Sequence, residues 1–254
     1  MLSPPIIGLI VFAVILAGGL VGWETRRRLP AHHLTDETKN FISVSTAVIA
    51  TLSALVLGLL ISNANSSFNA LGGDVTTLSA QIIRLDQILR RYGPDTQPAR
   101  ELLRRYAEQK DADLFPEDPA DFRIGDPSTY ALFQDFEDAL LALKPGNARD
   151  RWWMGQALAL AGKIGDARWL LAQRLGQGTP RTFLVLVVFW LTLLFASFGL
   201  FAPPNLTSAV TLALCALAVA GALGMILELE QGFGGLVHVS SRPMRQAVEA
   251  LQAD

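Results

Sequence analysis

Residues 195–210 read FASFGLFAPPNLTSAV, and they lie inside a run from Thr182 to Leu227 that carries no charged side chain. The run is 46 residues long. A hydrocarbon core of about 30 Å takes about 20 helical residues, so this run is too long for one crossing and long enough for two. Pro203 and Pro204 cannot donate backbone hydrogen bonds, and each disfavours helix in the residue before it. Asn205 then offers its side-chain oxygen to the N–H of Thr207 or Ser208 as an N-cap. Pro203, Pro204 and Asn205 are therefore expected to form a tight turn between two membrane helices, 182–201 and 206–227.

Working outward, two more charge-free runs appear, from Met1 to Trp23 and from Asn40 to Gly73. They supply spans at about residues 6–23 and 41–61. The first ends on Trp23, an aromatic suited to the membrane interface. No Lys or Arg precedes its apolar core, so it reads as an anchor that stays rather than a cleaved signal. Composition agrees, with 51% hydrophobic residues and only 17% charged, against about 25% in soluble domains. The expected fold is an all-α membrane protein. Its four transmembrane helices form two hairpins, at 1–73 and 178–231, flanking a helical extramembrane domain at 74–177. Residues 232–254 read as a C-terminal tail. The expected location is a cell membrane crossed several times, as in a bacterial inner membrane.

The middle region is the part large enough to stand outside the bilayer. Val75, Leu78, Ile82, Leu85, Leu89 and Tyr92 are spaced three and four apart, a short coiled-coil-like seam. It packs either on neighbouring helices or as an oligomerising stalk. Gly93-Pro94 ends that helix. Helical patterns resume at 98–110, 128–143 and 147–175, the last presenting Trp152, Ala157, Leu160, Ile164 and Leu171. DADLFPEDPADFRIGDP, residues 111–127, is acidic, rich in proline and read as a solvated loop; it lacks the order of a calcium loop. Gly176 to Pro180 breaks the last helix before the third span.

Chemistry is sparse. His32-His33 with Asp36 and Glu37 has metal-ligand residue types without metal-ligand spacing, so no metal site is expected. The one cysteine, Cys215, allows neither an intrachain disulfide nor a Cys-based metal site. Gly232-Phe-Gly234-Gly235 lacks the strand and lysine of a phosphate loop. No nucleophile has a paired base, so no catalytic residue, enzyme activity or cofactor is expected. The formal net charge of −2 and the missing basic patch set nucleic acid aside. Glu228 and Glu230, just past the fourth span, are boundary carboxylates that either meet interfacial water or face a wet path.

Helices associate in lipid through small residues at four-residue spacing. The second span carries Thr46, Ala50, Ala54, Gly58 and Ser62; the fourth carries Ala216, Ala220 and Gly224. These are expected to be helix-packing stripes. On the second span, Ser53, Ser62, Asn63 and Asn65 also offer the dipoles of a pore wall. Arg26, Arg27 and Arg28 follow the first span and place the first loop in the cytoplasm, with the helical domain outside. Arg168, Arg174 and Arg181 before the third span, with Arg242 and Arg245 after the fourth, argue for the reverse.

FWLTLLFASFGLFAPPNLTSAV (189–210), followed by ILELEQGFGGLVHVSSRPMRQAV (226–248), resembles the bestrophin-like domain family of mainly bacterial membrane proteins. LGLLISNANSSFN (57–69) resembles the end of that family's second span. Pro204 departs from the pattern, standing where a basic or other polar residue is expected. The resemblance implies an oligomer with four spans in two hairpins around an intervening domain, and ion conduction, since bestrophins are oligomeric anion channels. A clear neck of consecutive apolar pore residues and an acidic calcium clasp are missing here.

Two functions remain open on these grounds. One is a homo-oligomeric channel or passive transporter for small inorganic ions, with the lipid bilayer as its surroundings. The other is a membrane-anchored interaction, scaffold or signalling protein whose working part is the helical domain.

Overall fold

The structure is a computed structural model and describes residues 4–30, 35–118, 121–175, 181–203 and 205–253. Among the described residues, eight α-helices run in the order α1 (Pro4–Arg28), α2 (Asp36–Tyr92), α3 (Gln97–Leu114), α4 (Pro127–Leu141), α5 (Ala148–Leu175), α6 (Arg181–Phe201), α7 (Leu206–Gln231) and α8 (Arg242–Gln252). No strand occurs among the described residues. Among the described residues, four helices are long and apolar enough to cross a membrane: α1, α2, α6 and α7. The chain divides into two compact units, Met1–Ser66 with Gly178–Glu230, and Ser67–Gln177 with Gln231–Asp254.

α2 is the main departure from expectation. The sequence suggested a span ending near residue 61 and a separate helix from residue 75, yet α2 runs without a break for 57 residues. No proline occurs between Asp36 and Tyr92, and Gly72 and Gly73 keep ordinary helical backbone, since positive φ occurs only at Gly93 and Gly232 among the described residues. Two glycines cost a helix about 2 kcal/mol together, which packing elsewhere along 57 residues offsets. Asp36 and Glu37 in the first turn complement the positive end of its dipole. Gly93, at φ 134, and Pro94 stop it where expected.

In the first unit, α1 packs along α6, its partner across the sequence rather than its neighbour. The contact is backbone against backbone. A Cβ placed on Gly22 would overlap the Ala196 carbonyl, and one on Gly199 would overlap the Gly19 carbonyl. One on Gly18 would lie 2.7 Å from the Thr192 carbonyl oxygen. Only glycine permits that approach. Arg26 Nη1 donates to the Ala202 carbonyl, closing the open end of α6 with a positive charge where the dipole is negative. Asn205 caps α7 by accepting from the Ser208 N–H at 2.8 Å. Pro204 and His32-His33, singled out from the sequence, lie outside the described residues, as does the break at 176–180.

The second unit is built the way soluble helical domains are. Val75, Leu78, Ile82, Leu85 and Leu89 of α2 are buried with Leu103 and Tyr106 of α3, Phe133 and Phe136 of α4, and Ile164 of α5. Each such side chain contributes about 1.5–3 kcal/mol by leaving water. One residue of the expected face on α5 differs: Trp152 is exposed. Asp126 caps α4 by accepting from Ser128 N–H, and Asn147 caps α5 by accepting from Asp150 N–H at 2.9 Å. The acidic stretch is not all loop. α3 continues to Leu114, and buried Asp113 accepts a hydrogen bond from the Thr129 hydroxyl of α4 at 2.5 Å.

Residues 232–254 are likewise more than a tail. α8 buries Met244, Ala247 and Leu251 in the same core. Asp86, buried on α2, is held by Arg90 at 2.6 Å and by Arg100 of α3 at 2.8 Å. Arg90 also donates to the Ala253 carbonyl at 2.8 Å, tying down the end of α8. The Gly-rich turn before α8 explains its own sequence. Gly232 adopts φ 66, and a Cβ there would meet Leu71 at 2.8 Å. Phe233 next to it stacks on Phe122, ring centres 5.4 Å apart.

Candidate functional site

The second span was expected to carry both a packing stripe and polar pore candidates, so its faces decide the site. An α-helix advances about 100° per residue. In the first unit α2 buries Ser53, Leu60 and Ala64. Spaced seven and four apart, these fall on one side of the helix. Ser62 lies nine residues from Ser53, about two and a half turns, and so sits on the opposite side. It is exposed, as are Asn63 and Asn65. Asn65 shares the outer face with Ser62, Gly58 and Ser66, whereas Asn63 falls on a flank.

The four pore candidates are therefore not brought together. Ser53 belongs to the buried seam, and its hydroxyl is buried with no hydrogen-bond partner. Ser62 and Asn65 form an outward polar patch, at the end of a side whose earlier turns expose Val48, Leu55 and Leu59. The small-residue stripe winds in the same way, because steps of four drift about 40° each around the helix. Thr46 and Ala50 are half-buried, Ala54 and Gly58 exposed, and nothing lies within 4 Å of a Cβ built on Gly58. Of the membrane helices, α2 is also the least covered: 11% of its most apolar window is buried, against 22–28% in α1, α6 and α7.

On α7, Ala216 and Ala220 are buried and Gly224 is half-buried. A Cβ on Gly8 of α1 would come within 3.9 Å of the Ala220 carbonyl and of Gly224. Glu228 and Glu230 are half-buried at the end of α7. Asp36 and Glu37 are exposed at the start of α2, and no group of three metal-ligating side chains occurs among the described residues.

The sequence reading missed the tightest contact in the first unit. Its signal was present: Gly18 and Gly22 are four residues apart on α1, and so are Thr192 and Ala196 on α6. Small residues at that spacing on two different spans mark facing surfaces. The stripes on α2 and α7 drew attention instead because they are longer.

In the second unit the electrostatics are structural. Burial raises the Tyr106 phenol well above its ordinary range, and its hydroxyl finds no partner. Burial lowers the Lys110 ammonium, partly opposed by nearby Asp113. Hydrogen bonds from Arg104 and Arg105 hold Glu101 down to about 2.

No curated protein matches the sequence. The fold resembles the crystal structure of a bacterial bestrophin homolog from Klebsiella pneumoniae carrying an isoleucine-to-threonine mutation, with a TM-score of 0.66 at 14% identity. That match covers 96% of this chain and 97% of the other. The sequence itself matches the Bestrophin-like domain over residues 12–244. With that match spanning nearly the whole chain, the protein belongs to the bestrophin-like domain family.

Proposed function

We propose that this chain is one subunit of a homo-oligomeric membrane channel for small ions, with anions as the favoured cargo. The observation that carries the reading is the outer face of α2. A helix with a long apolar run exposes Ser62, Asn65 and Ser66 on the side away from its buried seam, while the rest of the protomer leaves that side uncovered. Polar side chains at the end of a span are costly where they meet lipid and are tolerated against protein or water. Around a symmetry axis, that face would line a wet path. Membership of the family and likeness to the Klebsiella bestrophin homolog support the same reading.

In this reading α1 with α2, and α6 with α7, form two hairpins, the second closed by the short connection through Pro203 and Asn205. The second unit stands outside the bilayer. The scaffold alternative loses its main motive, because the Val75–Leu89 seam is buried in the unit's own core rather than left open for a stalk. The arginine groups that pull orientation in opposite directions are separable by fusing alkaline phosphatase or a fluorescent protein after Asp254.

Purified full-length protein in chloride- or potassium-loaded liposomes should release ions faster than empty vesicles do. Asn65→Leu should slow the release. Intact oligomers that pass neither anions nor cations would overturn the proposal.

A further inference from the structure

A cavity of about 40 Å³ lies within the first unit where α1, α6 and α7 approach one another, lined by Leu16, Leu20, Trp23, Ala202, Ala209 and Leu212 among others. By the same measure one water needs about 10–15 Å³ and two to four polar partners. The cavity has the room for water and little of the chemistry: its walls are apolar apart from Ser208, and the indole Nε1 of Trp23 is buried away from it. An occupant that is mostly hydrocarbon fits these walls better.

The surroundings add charge. Arg26 donates through Nη1 to the carbonyl of Ala202, a residue of the cavity wall, which fixes its guanidinium at the cavity edge. A guanidinium has five N–H donors in a planar fork matched to phosphate oxygens, so donors remain after that contact. Arg27 and Arg28 follow, both exposed and both paired to Glu24. Three cations against one carboxylate leave a positive edge beside an apolar recess on a membrane helix.

We propose that this recess binds one anionic phospholipid per chain, the first few methylenes of one acyl chain between Leu20, Leu212 and Ala209, and its phosphate held by Arg26. The inference rests on α1, α6 and α7 lying in a bilayer and not on ion conduction, so it stands or falls separately from the channel reading.

The test uses the full chain in nanodiscs of phosphatidylcholine doped with phosphatidylglycerol, followed by native mass spectrometry of the released protein. Retention of one phosphatidylglycerol per chain, in preference to the more abundant phosphatidylcholine, is expected. Arg26→Gln and Ala209→Leu should each lower that retention about tenfold. Arg26 also caps α6, so Arg26→Gln can weaken the fold; Ala209→Leu fills the recess from another wall without touching Arg26. Equal retention of the two lipids by the unaltered protein, or undiminished phosphatidylglycerol on folded Ala209→Leu protein, would overturn the proposal.

Discussion

The α1–α6 contact and the core of the second unit solve one packing problem with opposite residues. Between α1 and α6 the contact is made by what is missing: Gly18, Gly22 and Gly199 let two backbones meet where a Cβ would collide. In the second unit it is made by what is added, with Phe133, Phe136, Tyr106 and Leu103 filling the space between helices. With the second unit outside the bilayer, as proposed, the reason is the solvent. Lipid tails are as apolar as leucine, so large side chains gain little by turning inward and close van der Waals approach dominates. Water rewards each buried ring, and caps and ion pairs such as Asp86 with Arg90 and Arg100 complete the packing.

If that contrast is right, truncation should hurt the second unit most and enlargement the first. Phe136, wholly buried, should cost about 3–5 kcal/mol as Phe136→Ala, read as a large fall in the thermal midpoint in detergent. Gly22→Ala should cost up to about 3 kcal/mol by overpacking against Ala196, with loss of the compact protein on size exclusion. Phe198→Ala, on a half-exposed ring of α6, should be far milder than Phe136→Ala, and equal effects would break the contrast.

Capping is where the two regions should agree. Asn147 caps α5 and Asn205 caps α7 with the same geometry, so Asn147→Ala and Asn205→Ala should each cost about 1 kcal/mol. Gly58 is the control for Gly22. Its Cβ position is open, so Gly58→Ala should be neutral or gain up to about 1 kcal/mol from helix propensity.

The smallest effect is a pH slope. Burial favours the protonated Tyr106 phenol in the folded state, so its folded pKa lies above the unfolded value of about 10. Its contribution is complete below that pH and is lost as pH rises further, so stability falls in alkali. Tyr106→Phe should flatten that slope. Because the hydroxyl has no partner, it should leave neutral-pH stability unchanged or slightly higher. Thermal melts from neutral to strongly alkaline pH measure both.

The same contrast explains what the sequence revealed. The four apolar runs, the stop at Gly93-Pro94 and the cap at Asn205 are local, and each was legible. α2's continuity was not, because Gly72-Gly73 reads as a break unless packing on both sides is known. α8 was missed although Pro243 follows Ser241 and Met244, Ala247 and Leu251 repeat at helical spacing; a short segment after a Gly-rich turn reads as tail without its partner α3. The polar candidates on α2 were named by residue type, and only the rotation of the helix separates buried Ser53 from outward Ser62. Glycine pairs such as Gly18 and Gly22 reveal a contact only when the facing helix is known.

The most direct measurement uses Ser62 itself. Cys215 is the sole cysteine, so Ser62→Cys in a Cys215→Ala background gives one addressable thiol on the outer face of α2. Chloride efflux from liposomes holding this full-length variant, before and after a membrane-impermeant thiol reagent, tests whether that face lines the path. The account predicts efflux above empty vesicles that the reagent blocks. Efflux that the reagent leaves unchanged while the thiol is labelled would contradict it.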